Sequence, residues 1–321
     1  MKNMKLASTG ILLFSLAFKL SAYEGRVTIH VVGEDGLPID NAKASIQFTV
    51  ATPGGGLGNG KVLNVEGLTD TNGICVLTGN GDDASVGAAV LKEGYYGSDG
   101  YGIEFTGSLL GRWQPWNPTI EVVLQKQGVQ VPMYARKTGD LKIPATNQPI
   151  GFDLTKGDWV APYGKGETGD FLFRFDDDLK IKNEQHHFYD ATWTISFSNE
   201  GDGIQPAISS SHGLRLPRQA PSDGYEPMLV KRIYRLEGRA TYSDFREDQN
   251  YFFRVRTKKN DKGQIVSALY GKIYGDIRVG QDGYMRFTYY LNPEPNSRNM
   301  EFDPRQNLFR NSKPLERVSA P

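Results

Sequence analysis

Apolar and polar residues alternate at every second position over much of this chain, and helical periodicity is nearly absent. In Lys43–Val50 the residues Ala44, Ile46, Phe48 and Val50 fall on one face, with Lys43, Ser45, Gln47 and Thr49 on the other. Ile120, Val122 and Leu124 repeat the pattern, as do Ala191, Trp193, Ile195 and Phe197. The run Gln264–Val279 alternates along its whole length, and Met285, Phe287, Tyr289 and Leu291 form one face of a further strand. Turn chemistry separates these runs at Asp35-Gly36, Asn72-Gly73, Gly79-Asn80-Gly81, Glu93-Gly94 and Asn260-Asp261-Lys262-Gly263. Half-buried strands joined by tight turns predict an all-β chain of two antiparallel β-sandwich-type domains.

The N-terminus has the three parts of an export signal. Lys2 and Lys5 supply the positive start, Ile11–Leu20 a short apolar core broken by Lys19, and Ser21-Ala22 a small residue at the cut. Residues 1–22 are therefore expected to be a signal peptide, with a mature chain from Tyr23 that is periplasmic, at the cell surface or secreted. No later segment is apolar enough to span a bilayer as a helix. Lysine plus arginine and aspartate plus glutamate both total 37, so charge gives no case for binding nucleic acid or anionic lipid. The single cysteine, Cys75, forbids an intrachain disulfide, and its apolar strand neighbours predict a buried thiol. The pattern breaks predict a first sandwich over 23–127 and a proline-bearing linker over 128–149. A second antiparallel domain is expected over 150–305, then a loose tail over 306–321.

Three clusters of the first domain carry a resemblance. They are Gly33-x-x-Gly36-x-Pro38-Ile39-x-x-Ala42, Thr69-Asp70-x-x-Gly73 and Leu91-Lys92-x-Gly94-Tyr95. Together they resemble the carboxypeptidase regulatory-like domain, which implies a seven-stranded transthyretin-like or immunoglobulin-like sandwich over residues 25–126. That family supplies accessory modules to unrelated proteins, so the resemblance implies no activity. The chain departs from it in the loop Pro53–Gly60 and in the aromatic, glycine-rich excursion from Tyr95 to Trp116. Further on, Leu269-Tyr270-Gly271-Lys272-Ile273-Tyr274-Gly275-Asp276-Ile277, Phe287–Pro293 and Glu301-Phe302-Asp303-Pro304 resemble a group of uncharacterised exported bacterial proteins, which carries over no site.

Candidate chemistry is sparse. Tyr95, Tyr96, Tyr101, Trp113 and Trp116 lie in a loop region with polar neighbours, a composition that stacks on sugar rings or anchors a protein partner. The same residues would otherwise pack at the domain junction. His186, His187 and Asp190 form a candidate metal set if they lie on a loop, since neighbouring strand residues point apart. Ser209–Ser211 with His212 lacks the nucleophile-elbow spacing of a serine hydrolase. Asp170 and Asp176–Asp178 flank a strand, and beyond a structural calcium there no cofactor is expected. The leading expectation is a non-enzymatic structural or ligand-binding protein of the cell envelope, with a glycan or an extracytoplasmic protein as partner. The alternative is an extracytoplasmic hydrolase with the C-terminal domain as catalyst.

Overall fold

The computed structural model describes residues 22–52, 60–177, 188–208, 216–236 and 238–320. The expected signal peptide therefore lies outside the described residues, apart from Ala22. The described chain is all-β, built from several sheets, and its one helical element is the 3₁₀ turn Pro314–Glu316. It divides into two compact units. One takes the residues up to Leu91 and Asp99–Val122, the other Lys92–Ser98 and the chain from Val123 onward.

The first unit holds strands β1 (Tyr23–Gly33), β2 (Lys43–Ala51), β3 (Gly60–Leu68), β4 (Ile74–Gly81) and β5 (Ser85–Leu91). After these come β6 (Ser98–Glu104), β7 (Gly107–Leu109), β8 (Arg112–Gln114) and β9 (Thr119–Leu124). One sheet runs β4-β1-β8-β7 with β9 also on β1, and the other runs β3-β2-β5-β6. β1 and β4 are antiparallel from Tyr23 opposite Gly81 to His30 opposite Ile74. The alternation does what it predicts: Ala44, Ile46 and Phe48 are fully buried, and on the other sheet Val27, Ile29, Cys75 and Leu77 are buried as well. Asp35-Gly36 and Asn72-Gly73 are turns with the glycines at φ +74° and +73°, a backbone that glycine adopts without steric cost. Asp70 Oδ1 fixes the second turn by accepting from the backbone N–H of Asn72 and Ile74.

Gly79-Asn80-Gly81 is not a turn. It is the end of β4, still paired with β1. Its glycines answer a packing demand: a β-carbon on Gly79 would lie 2.4 Å from the Phe48 ring, and one on Gly25 2.7 Å from it. The ring of β2 thus rests on bare backbone of the opposite sheet.

The second unit continues with β10 (Val131–Lys137), β11 (Leu141–Lys142), β12 (Ile150–Asp153), β13 (Asp158–Trp159), β14 (Phe171–Asp177) and β15 (Tyr189–Ser196). Then follow β16 (Gly203–Ala207), β17 (Met228–Arg235), β18 (Tyr242–Ser243), β19 (Asn250–Lys259) and β20 (Ile265–Ile273). The last are β21 (Arg278–Val279), β22 (Tyr284–Arg286), β23 (Thr288–Leu291) and β24 (Phe302–Asn307). Two six-stranded sheets, β16-β19-β20-β23-β10-β24 and β13-β12-β14-β15-β17-β18, are joined by a small sheet β11-β22-β21. Between the large sheets lies an aromatic core that includes Phe152, Phe171, Phe173, Trp193, Phe253 and Tyr289, packed mostly edge to face. That geometry sets the positive ring edge against the negative face.

Three expectations are corrected here. Residues 128–149 are not a linker, since β10 sits between β23 and β24 with Met133 and Ala135 fully buried. Pro132 is tolerated because the β10–β24 register shifts between Val131 and Met133, and a bulge needs no N–H from proline. The tail 306–320 is tied down: Asn307 Nδ2 donates to the Ala135 carbonyl at 2.7 Å, Arg136 pairs with Glu316 at 3.0 Å, and Val318 is buried. Gln264–Val279 is not one strand, because the chain leaves β20 after Ile273 and Gly275 turns at φ +80°.

Candidate functional site

The described residues place the aromatic candidates in different settings. In the first unit Trp113 belongs to the core, its Nε1–H donating to the Gly81 carbonyl at 3.1 Å and its ring stacked on Phe105. Trp116 is half-buried with the Arg112 guanidinium 4.6 Å over its ring, and Tyr101 is also half-buried. In the second unit Tyr95 is half-buried, while Tyr96 is buried and its hydroxyl accepts from Gln130. Burial pushes the Tyr96 phenol above its usual range.

Asp190 is held by Arg232 through two hydrogen bonds of 2.8 and 2.6 Å. His186, His187, Asp178, His212 and Ser209–Ser211 lie outside the described residues. Asp176 accepts a forked pair of bonds from Arg174. Asp170, fully buried, accepts from Arg256 at 2.7 and 2.9 Å and from the Leu154 N–H. Desolvation raises the Asp170 carboxyl against the pull of Arg256. Its neighbour Asp153 also accepts from the Lys156 N–H; burial raises it, but the bonds it accepts from Thr155, Glu167 and Thr168 outweigh this and lower it. Among the described residues no cluster of three or more His, Cys, Asp or Glu is spaced to hold a metal ion.

One concavity of the second unit is one that the sequence did not single out. Two adjoining depressions of the second unit, of about 600 and 270 Å³, share Asp140, Arg278 and Arg286 and make one open groove. The small sheet forms it: β21 presents Arg278, β22 presents Arg286, and the turn before β11 presents Asp140. Lys137, at the end of β10, and Phe245, after β18, complete the wider end.

Its floor is closed chemically. Asp276 Oδ2 accepts from Lys231 Nζ at 2.8 Å and from the Arg246 N–H at 2.9 Å. Asp276 Oδ1 accepts from the Tyr251 hydroxyl and the Ile277 N–H, each at 2.8 Å. The side chains of Lys231 and Asp276 are 5% and 0% exposed. Burial, then the bond to Asp276, drives the Tyr251 phenol far above its ordinary range. The rim is open. Arg278 lies 4.1 Å over the Phe245 ring, and among the described residues neither it nor Lys137 has a carboxylate partner. Arg286 is bonded to Asp140 Oδ1 at 2.6 Å, in a pair exposed to solvent on both sides. The break at Tyr274-Gly275-Asp276 was the one local sign of this groove, because an alternating run does not need a left-handed glycine followed by a buried acid.

The sequence matches no protein-family model, and no curated protein matches it. Among solved structures the chain is similar to 3-chlorocatechol 1,2-dioxygenase from Rhodococcus opacus, at 11% identity and a TM-score of 0.26, over 39% of this chain and 73% of that one. It is also similar to the shaft pilin SpaA from Lactobacillus rhamnosus GG, at 12% identity and a TM-score of 0.22, over 57% of this chain and 91% of that one. A point mutant of that pilin gives 13% identity and a TM-score of 0.23. Likenesses of this size carry no functional argument.

Proposed function

We propose that the chain is an exported, non-enzymatic protein of the cell envelope that binds a glycan or an extracytoplasmic protein. The observation that carries this reading is the division of labour in the groove. Its buried carboxylate, Asp276, spends both oxygens on four internal donors, an arrangement that fixes a loop. The groups left facing outward are three cations, the carboxylates of Asp140 and Glu247 and an aromatic ring, which bind and orient. A general acid or base needs a proton in flight and a tuned carboxyl within reach of substrate. Trp116, Tyr101 and Tyr95, each half-buried, belong to the same proposal as secondary contacts. The export signal of residues 1–22 supports the compartment.

The test incubates the exported protein with envelope glycans and with ester, glycoside and peptide substrates. Saturable binding without turnover is the expected result. Turnover that is abolished in Asp276→Asn while the fold survives would overturn the reading in favour of a hydrolase.

A further inference from the structure

We infer that the groove between β21, β22 and the end of β10 binds an acidic glycan, a sugar chain carrying carboxylates. The inference rests on the binding reading above and adds the site and the chemical class. Its shape is the first ground. Two open depressions of about 600 and 270 Å³ meet at Arg278 and Arg286, more room than a single sugar ring fills, as a polymeric ligand requires.

The cations are the second ground. Arg246, next to Phe245 in the sequence, is paired with a neighbouring acid, Asp248. Arg278 is instead held by the Phe245 face. A cation–π contact fixes the plane of the guanidinium and leaves its N–H donors unspent. Such a fork suits a carboxylate, which it can grip by two parallel charge-assisted bonds. Lys137 adds a second unpaired cation at the wide end. Arg286 can exchange Asp140 for a ligand carboxylate at little cost, because an exposed pair contributes little to stability. Glu247 and Asp140 also line the rim, and they suit sugar hydroxyls as acceptors.

The third ground is the bare backbone between these groups. Gly139 and Gly275 line the wide end with no atom within 4 Å of where a β-carbon would sit. That leaves room for a bulky ring beside the cations. An extended acidic peptide would find carboxylate grips here as well, but neither β21 nor β22 offers it more than three residues of strand to pair with. Ring-sized space flanked by single cations favours the sugar.

The test uses hexasaccharides of galacturonate and of mannuronate, with maltohexaose as the neutral control and hexaglutamate as the peptide control, measured by titration calorimetry on the mature chain. At least one uronate should bind saturably and more weakly as salt rises. Arg278→Ala should weaken it tenfold or more and Phe245→Ala several-fold, with unchanged circular dichroism and unfolding midpoint. Maltohexaose should not bind. The inference is overturned if neither uronate binds, if Arg278→Ala binds as the parent does, or if hexaglutamate binds as tightly as the sugars. In each of those cases retained binding of an envelope partner without turnover would leave the broader reading standing.

Discussion

The Phe48 ring occupies the place that a side chain on Gly79 would fill: its nearest atom is 2.4 Å from the position of a β-carbon there. Two strands of opposite sheets are thereby matched, one large residue to one absent one.

Gly79→Ala should therefore destabilise the protein by about 1–3 kcal/mol, the usual cost of forcing extra volume into a packed core. Gly87, at an exposed position of β5, has nothing within 4 Å of its own β-carbon position. Gly87→Ala is the control and should be neutral or slightly stabilising. Urea unfolding of both variants checks the pair, and equal midpoints would refute the packing account.

Lys272 carries a pH prediction. It is fully buried with its ammonium 4.7 Å over the Tyr290 ring, and desolvation lowers it to about 7 although Glu301 pulls the other way. An unfolded lysine titrates at about 10.4. Between those values the unfolded state holds more protons, so this group makes stability rise with pH across that window. Below about pH 7 both states are charged and the penalty is complete. Lys272→Met should stabilise the protein by up to a few kcal/mol at neutral pH, and the gain should shrink toward pH 10. A gain that does not change with pH would show that packing rather than charge is responsible.

Asp202 holds a strained backbone. Arg256 stands at φ +55° inside β19, where a side chain is uncomfortable. Asp202 accepts from the Thr257 N–H at 2.8 Å, from the Arg256 N–H at 3.2 Å and from the Asn199 amide at 2.8 Å. Asp202→Ala leaves the buried Thr257 N–H and the part-buried Arg256 N–H without this acceptor and should cost about 2–4 kcal/mol, whereas Asp202→Asn, which keeps one oxygen, should cost less. Thermal unfolding of the two variants decides it.

Cys75 should be inert in the folded protein. It is buried, and desolvation followed by the charge of Asp70 raises its thiol. Thiolate is the reactive form, so an aromatic disulfide reagent should label the native chain far more slowly than the urea-unfolded chain. Equal rates would show that the thiol is accessible.

The sheets were legible because half-burial writes a period of two into the sequence. Ala44, Ile46 and Phe48, and likewise Ala191, Trp193 and Ile195, are buried as their alternation required. What misled were residues whose local meaning is ambiguous. Glycines at 79 and 81 read as a turn when they were room for a distant ring. Pro132 read as a linker when it sat at a bulge. Of the groove, the sequence showed no more than the break at Tyr274-Gly275-Asp276. Lys137, Phe245, Arg278 and Arg286 are ordinary surface residues in the sequence, and only the fold of the second unit, with its small sheet β11-β22-β21, collects them.

The division of the chain has a consequence for its inheritance and synthesis. Lys92–Ser98 belongs to the second unit yet is followed by Asp99–Val122 of the first. Tyr96 is fastened there by its N–H to the Gln125 carbonyl, and Gln127 returns the bond to Gly94. Neither unit is then a cassette that recombination could lift out with two breakpoints and set down elsewhere. A ribosome must also deliver the chain through Val122 before the first unit is complete, with a short piece of the second already waiting for its mate.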